Sequence, residues 1–122
     1  MKFSGSRGGL RRARRTIVSR RAPKNFVDRL SDLPMAAGNP CNLRARFYLP
    51  PGLEPGAPLV VVLHGCTQDA AAYDHGSGWS RLADRHGFAL LFPEQQRANN
   101  MNMCFNWYQP QDATRGGGEP AS

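Results

Sequence analysis

No apolar run in these 122 residues is longer than Leu59 to Leu63, five residues. A bilayer-spanning helix needs about 20, so no transmembrane segment is read. Cysteine is scarce: Cys41, Cys66 and Cys104, with no CxxC pair. That argues against a tetrahedral zinc site and against a disulfide-dense miniprotein, and no metal is expected. The odd count fits one bridge with a free thiol, or three reduced thiols. Acidic residues are missing from residues 1–24, which carry nine basic ones. The remaining 98 residues hold seven basic and nine acidic residues, a net −2. The basicity therefore belongs to an arm, and the rest is near neutral. That arm also lacks a secretory leader's apolar stretch, offering only Thr16, Ile17 and Val18 between arginine pairs.

Three segments follow from these shifts in composition. Residues 1–24 read as a disordered basic arm, with too little apolar surface to offset the entropy of ordering. Residues 25–40 read as a linker, with Phe26, Val27 and Leu30 on one helical face and a stop at Leu33-Pro34. Residues 41–122 read as folded. Leu43, Ala45, Phe47 and Leu49 alternate with Arg44, Arg46 and Tyr48, predicting a half-buried strand near a sheet edge with one wet face. Leu59 to Leu63 is continuous and β-branched, predicting a strand buried on both faces. Ala70 to Tyr73 can form a helical turn. A helix is predicted over 77–86, with Ser77 as N-cap, Gly87 as the stop, and Trp79, Leu82, Ala83 and His86 on one face. Phe88 to Phe92 is a second short strand, ended by Pro93. Residues 59–92 thus predict a βαβ unit with two parallel strands. Two such strands need further strands and helices to cover them.

The chemistry is concentrated where the first buried strand ends, in His64-Gly65-Cys66-Thr67-Gln68. Three blocks, PLVVVLHGCTQ, YDHGSGWSRLADRHGFALLFPEQQRANN and CFNWYQP, together with the late RGGGEP, resemble the polyhydroxybutyrate (PHB) depolymerase-type esterases. The likeness covers about residues 41–122. Met101-Asn102-Met103 departs from it, since small residues or proline are more usual there.

The resemblance implies the N-terminal part of an α/β-hydrolase fold, with an incomplete sheet. It implies a serine esterase acting on a carboxylic ester or polyester through an acyl-enzyme, with no cofactor. It implies that the loop at Gly65 and Cys66 forms half of the oxyanion hole, with Cys66 lending the backbone N–H and Gly65 shaping the turn. His64 is read as a loop-supporting residue and not as a base. The family suggests a Cys66–Cys104 disulfide, two reduced buried thiols being the alternative. Trp107 and Tyr108 are candidates for a substrate cleft, or for filling loop gaps; Trp79 reads as core. Asp69, Asp74, Asp84, Asp112 and Glu119 read as solvated. Relatives of this type suggest an extracellular protein.

The triad is missing from these 122 residues. This fold needs serine on a GxSxG elbow, then an acid, then a histidine. No GxSxG occurs, and Gly76-Ser77-Gly78-Trp79-Ser80 has the wrong spacing. The expectation is an N-terminal fragment without catalysis of its own. The rival reading is a non-catalytic remnant whose basic arm holds nucleic acid or an anionic surface by charge. No specific nucleic-acid partner is expected, and oligomeric state is not readable.

Overall fold

Strand β1 (Ser31–Leu33), β2 (Arg44–Tyr48), β3 (Leu59–Val61) and β4 (Ala89–Glu94) form one sheet, and helices α1 (Ala70–Ser77) and α2 (Trp79–His86) connect β3 to β4. These come from a computed structural model that describes residues 26–34 and 37–122. The basic arm lies outside the described residues. The strand order is β1-β2-β4-β3. β3 and β4 run parallel, and β1 and β2 join antiparallel. The βαβ unit expected over 59–92 is therefore present, and a small mixed α/β layer surrounds it.

Alternation along β4 organises the core. Leu90, Phe92 and Glu94 are buried on one face while Ala89, Leu91 and Pro93 point to the other. Leu90 and Phe92 pack with Val62, Leu30, Ala70 and Ala83. Both alanines are fully buried, so the helices sit close against the sheet. Pro93 does not end β4; it pairs with Ala45 in the ladder, where its fixed φ suits extended chain.

The single helix predicted over 77–86 is two helices. Gly78 breaks them with φ 81°, a left-handed geometry that glycine adopts without penalty. Ser77 is thus the last residue of α1 and not an N-cap; its hydroxyl donates to the Tyr73 carbonyl at 2.6 Å. Gly78 caps α2 without a side chain. Asp74 replaces the missing acceptor. It is buried, and its two oxygens accept from the Ser80 N–H and the Ser80 hydroxyl, each at 2.7 Å. Its predicted solvation is wrong because the break at Gly78 turns it inward. Asp69 does cap α1, accepting from the Ala72 N–H at 2.7 Å.

The region read as a linker with a helical turn contains an edge strand instead. Ser31, Asp32 and Leu33 pair with Phe47, Arg46 and Ala45. This moves β2 one place in from the edge, and it also reverses the expected wet face. The register sets Arg44, Arg46 and Tyr48 beside Glu94, Phe92 and Leu90, on the helix-covered side. Residues 28–32 absorb that polarity. Arg46 donates to Asp28 at 2.9 Å and to the Leu30 carbonyl at 2.6 Å. Arg29 pairs with Asp84 at 2.7 Å and lies over the Tyr48 ring. Hydrogen bonds from Tyr48 and Arg29 hold the Asp84 carboxyl below its ordinary range. Asp84 is therefore an ion-pair member and not a free surface charge.

β3 is covered on one side only among the described residues. Val62 is buried beneath the helices, whereas Leu59, Val61 and Leu63 are 60%, 53% and 55% exposed. The prediction of burial on both faces fails for want of a second covering layer. A fully buried apolar side chain is worth roughly 1.5–3 kcal/mol of transfer free energy, and these three realise less than half of it. Phe92→Ala should cost about 3–5 kcal/mol, comparable with the whole stability of a small domain, and abolish a cooperative urea transition. Leu59→Ser should change the unfolding free energy by less than about 0.5 kcal/mol. Equal effects of the two substitutions would contradict the one-sided core.

Candidate active-site loop

The turn after β3 is held by side chains on both sides of one peptide. The Val62 N–H still bonds the Leu91 carbonyl at 2.8 Å, so the chain leaves the sheet only afterwards. His64 is buried. Its Nε2 accepts from the Gln95 N–H at 3.0 Å, and its Nδ1 lies 2.8 Å from the Gly65 carbonyl. A backbone N–H can only donate, so Nε2 carries no proton and Nδ1–H donates to Gly65. Both ring nitrogens are committed, which excludes His64 as a base in this arrangement. Phe105 packs against the ring with centroids 5.0 Å apart.

Gly65 and Gln68 bond each other twice. The Gly65 N–H donates to Gln68 Oε1 at 2.7 Å, and the Gln68 N–H donates to the Gly65 carbonyl at 3.2 Å. The Thr67 N–H donates to the Asn102 carbonyl at 2.7 Å. Cys66 is exposed, and among the described residues nothing accepts from its N–H. A trans peptide is planar, so the Gly65 carbonyl and the Cys66 N–H point in opposite directions. Two donors hold the carbonyl toward the protein and leave the N–H directed away from them.

A disulfide joins Cys66 to Cys104, with Cα atoms 4.3 Å apart. It and the Thr67–Asn102 bond tie the loop to residues 95–108. Two non-glycine residues flank this tie in left-handed backbone, Thr67 at φ 63° and Met103 at φ 52°. For β-branched threonine that conformation costs on the order of 1–3 kcal/mol. Cys41 is the free thiol. Burial and the Asp112 carboxylate push its pKa up, and Asp112 Oδ1 lies 3.7 Å from its sulfur.

Residues 95–122 rest on Gln95 and Glu119, neither of which stood out in the sequence. Gln95 is buried; its Nε2 donates to the Cys104 carbonyl at 3.2 Å and to Glu119 at 2.6 Å. Both Glu119 oxygens lie 2.9 Å from the Asn106 N–H. Glu119 is therefore an anchor and not a solvated surface residue. Glu94, itself buried, is a third anchor, accepting from the Ala70 N–H at 2.8 Å while pairing with Arg44. Trp107 is 78% exposed and borders an apolar groove of about 500 Å³ with Phe105, Leu43, Val61, Leu63 and Leu91. Tyr108 does not line it; its ring meets Trp107 edge-on at 5.9 Å.

The family model described as "Esterase PHB depolymerase" matches residues 43–122. Poly(3-hydroxyalkanoate) depolymerase C of Paucimonas lemoignei is 55% identical over 84 residues, 69% of this chain and 20% of that protein. A probable acetylxylan esterase A of Aspergillus flavus is 39% identical over 56 residues, 46% of this chain and 18% of that protein. Feruloyl esterase B of Neurospora crassa is 34% identical over 80 residues, 66% of this chain and 26% of that protein. A solved acetyl xylan esterase from Aspergillus awamori aligns with 52% of this chain and 23% of its own, at TM-score 0.49 and 28% identity. The chain belongs to the PHB depolymerase esterase family. It spans about a fifth to a quarter of the length of these curated relatives.

The strain at Thr67 is testable without any substrate. Thr67→Gly relieves the left-handed conformation and should raise stability to urea by about 0.5–1 kcal/mol. Thr67→Val should not. A midpoint that falls with glycine would contradict the left-handed assignment.

Proposed function

We propose that this chain forms the oxyanion-side portion of a serine esterase with the α/β-hydrolase fold, acting on a carboxylic ester or polyester. The observation that carries the reading is the uncommitted Cys66 N–H, held outward at the carboxyl end of a parallel strand. In acyl transfer the serine oxygen attacks the ester carbon and the carbonyl oxygen takes up negative charge. A fixed N–H aimed at that oxygen stabilises the charge without reorganising. The intermediate collapses with loss of the alcohol, and water then releases the acid from the acyl-serine. This chemistry draws on serine, histidine and an acid, which sequence outside these 122 residues would supply, and it calls for no metal or organic cofactor.

The sheet supports the same reading. Among the described residues strand β3 lies at an open edge parallel to β4, with Leu59, Val61 and Leu63 exposed on the face away from the helices. A further parallel strand beside β3 and a helix over that face would bury them and bring a strand-to-helix elbow next to residues 64–68. The domain division proposed is a basic arm over 1–24, a lead-in over 25–40 and the esterase portion from 41. Trp107, at the rim of the groove, is proposed as an apolar contact for substrate; Tyr108 stands behind it. The Cys66–Cys104 bond fits an oxidising compartment, in keeping with an extracellular enzyme.

A fusion tests the oxyanion role. Residues 43–122 would replace the matching segment of the Paucimonas depolymerase, and hydrolysis of a p-nitrophenyl ester would be followed. Cys66→Pro deletes the N–H and should lower kcat by about 10²–10³-fold. Cys66→Ser keeps the N–H while removing the disulfide, and should retain most of the activity. Equal losses in the two variants would assign the effect to the disulfide and sink the donor reading.

A further inference from the structure

The Gly65–Cys66 peptide is the link in this loop with the least steric restraint of its own. Glycine has no Cβ, so the peptide on either side of it can reorient at little steric cost. Turning this peptide over would point the Cys66 N–H inward and the Gly65 carbonyl outward, replacing a donor by an acceptor where charge must be stabilised. The Gln68 backbone N–H and the His64 ring hold the carbonyl of this peptide, and the Gln68 side chain fixes the preceding His64–Gly65 peptide, the pivot about which it would turn. Gln68 binds the Gly65 N–H through Oε1 at 2.7 Å and the Gly65 carbonyl through its own N–H. His64 Nδ1–H binds the same carbonyl at 2.8 Å.

The glycine itself points to the same pairing. Gly65 has no positive φ that would demand glycine. A Cβ placed there would instead come 2.8 Å from Gln68 Oε1, closer than real Cβ contacts come. A side chain at position 65 would thus displace the Gln68 amide from the Gly65 N–H. The contact has a second effect. It occupies the Gly65 N–H, which would otherwise be a neighbouring free donor, and leaves Cys66 as the donor the loop presents.

We propose that Gln68 is a positioning residue that, with His64 held as its Nδ1–H tautomer, locks the Gly65–Cys66 peptide so that the Cys66 N–H faces the reacting carbonyl. The role rests on the oxyanion reading, but the lock itself is a property of this chain and can be measured apart from activity.

Amide hydrogen exchange on the ¹⁵N-labelled 122-residue chain provides that measurement. Gly65 should exchange slowly and Cys66 fast. Gln68→Leu should make Gly65 fast while Thr67, bonded to Asn102, stays protected. Gln68→Glu keeps an acceptor and should keep Gly65 protected. Equal exchange at Gly65 and Cys66 in the parent chain, an unfolded chain included, overturns the lock, as does continued protection of Gly65 in Gln68→Leu. In the depolymerase fusion, Gln68→Leu should lower kcat by about 10–100-fold with KM little changed, and Gln68→Glu should recover most of it. Loss on Cys66→Pro with none on Gln68→Leu removes Gln68 from the account and leaves the donor in place. Unchanged activity on Cys66→Pro removes the donor reading, whatever the exchange rates show.

Discussion

The hydrogen bond from the Gln95 N–H to His64 Nε2 decides the geometry of the loop. It crosses from the end of β4 to the end of β3, and it leaves the imidazole one possible neutral tautomer. That tautomer donates to the Gly65 carbonyl, and the planar peptide then aims the Cys66 N–H away from the protein. The side chain of Gln95 extends the same control to the far side of the loop, through the Cys104 carbonyl and Glu119. A single buried glutamine thus connects the strand ends, the disulfide-tied segment and the region around residue 119.

The frame that carries this loop is lopsided. On one face, α1 and α2 cover Leu90, Phe92 and Val62, and residues 28–32 neutralise the arginines of β2. On the other, Leu59, Val61, Leu63 and the groove beside Trp107 stay open among the described residues. Apolar exposure along an unpaired parallel strand is costly, and it is relieved by adding a strand and a covering helix. The same addition would bring further chain to the carboxyl end of β3, where the Cys66 N–H waits. On the function proposed, covering the core and completing the reaction site would be one structural event. Membership of the PHB depolymerase esterase family is consistent with that economy, since the matched segment makes up only about a fifth to a quarter of the curated relatives quoted above.

Local pattern revealed the βαβ unit, because short continuous apolar runs mark strands and an apolar face at helical spacing marks a helix, although the burial expected on both faces of Leu59 to Leu63 is not met among the described residues. It missed what depends on distant partners. Arg44, Arg46 and Tyr48 read as a wet face, since nothing local says that Asp28, Asp32 and Asp84 will meet them. Ser77 reads as a cap because a serine before an apolar run usually is one; the left-handed Gly78 and the buried Asp74 could be known only once both helices were placed. In the loop, His64, Gly65, Cys66 and Cys104 were visible through the family likeness. Gln68 lay inside the same quoted motif without drawing notice, because its role is a contact with a glycine. Gln95 and Glu119 likewise lay inside the quoted blocks, FPEQQRANN and RGGGEP, without drawing notice, because their roles are contacts across the loop.

The tautomer of His64 is the most direct test of this account. A long-range ¹H–¹⁵N correlation spectrum of the ring would report it. A protonated Nδ1 with a bare Nε2 is the result the hydrogen-bond chain requires. A proton on Nε2 would break the bond from Gln95, release the Gly65 carbonyl and contradict the placement of the Cys66 N–H.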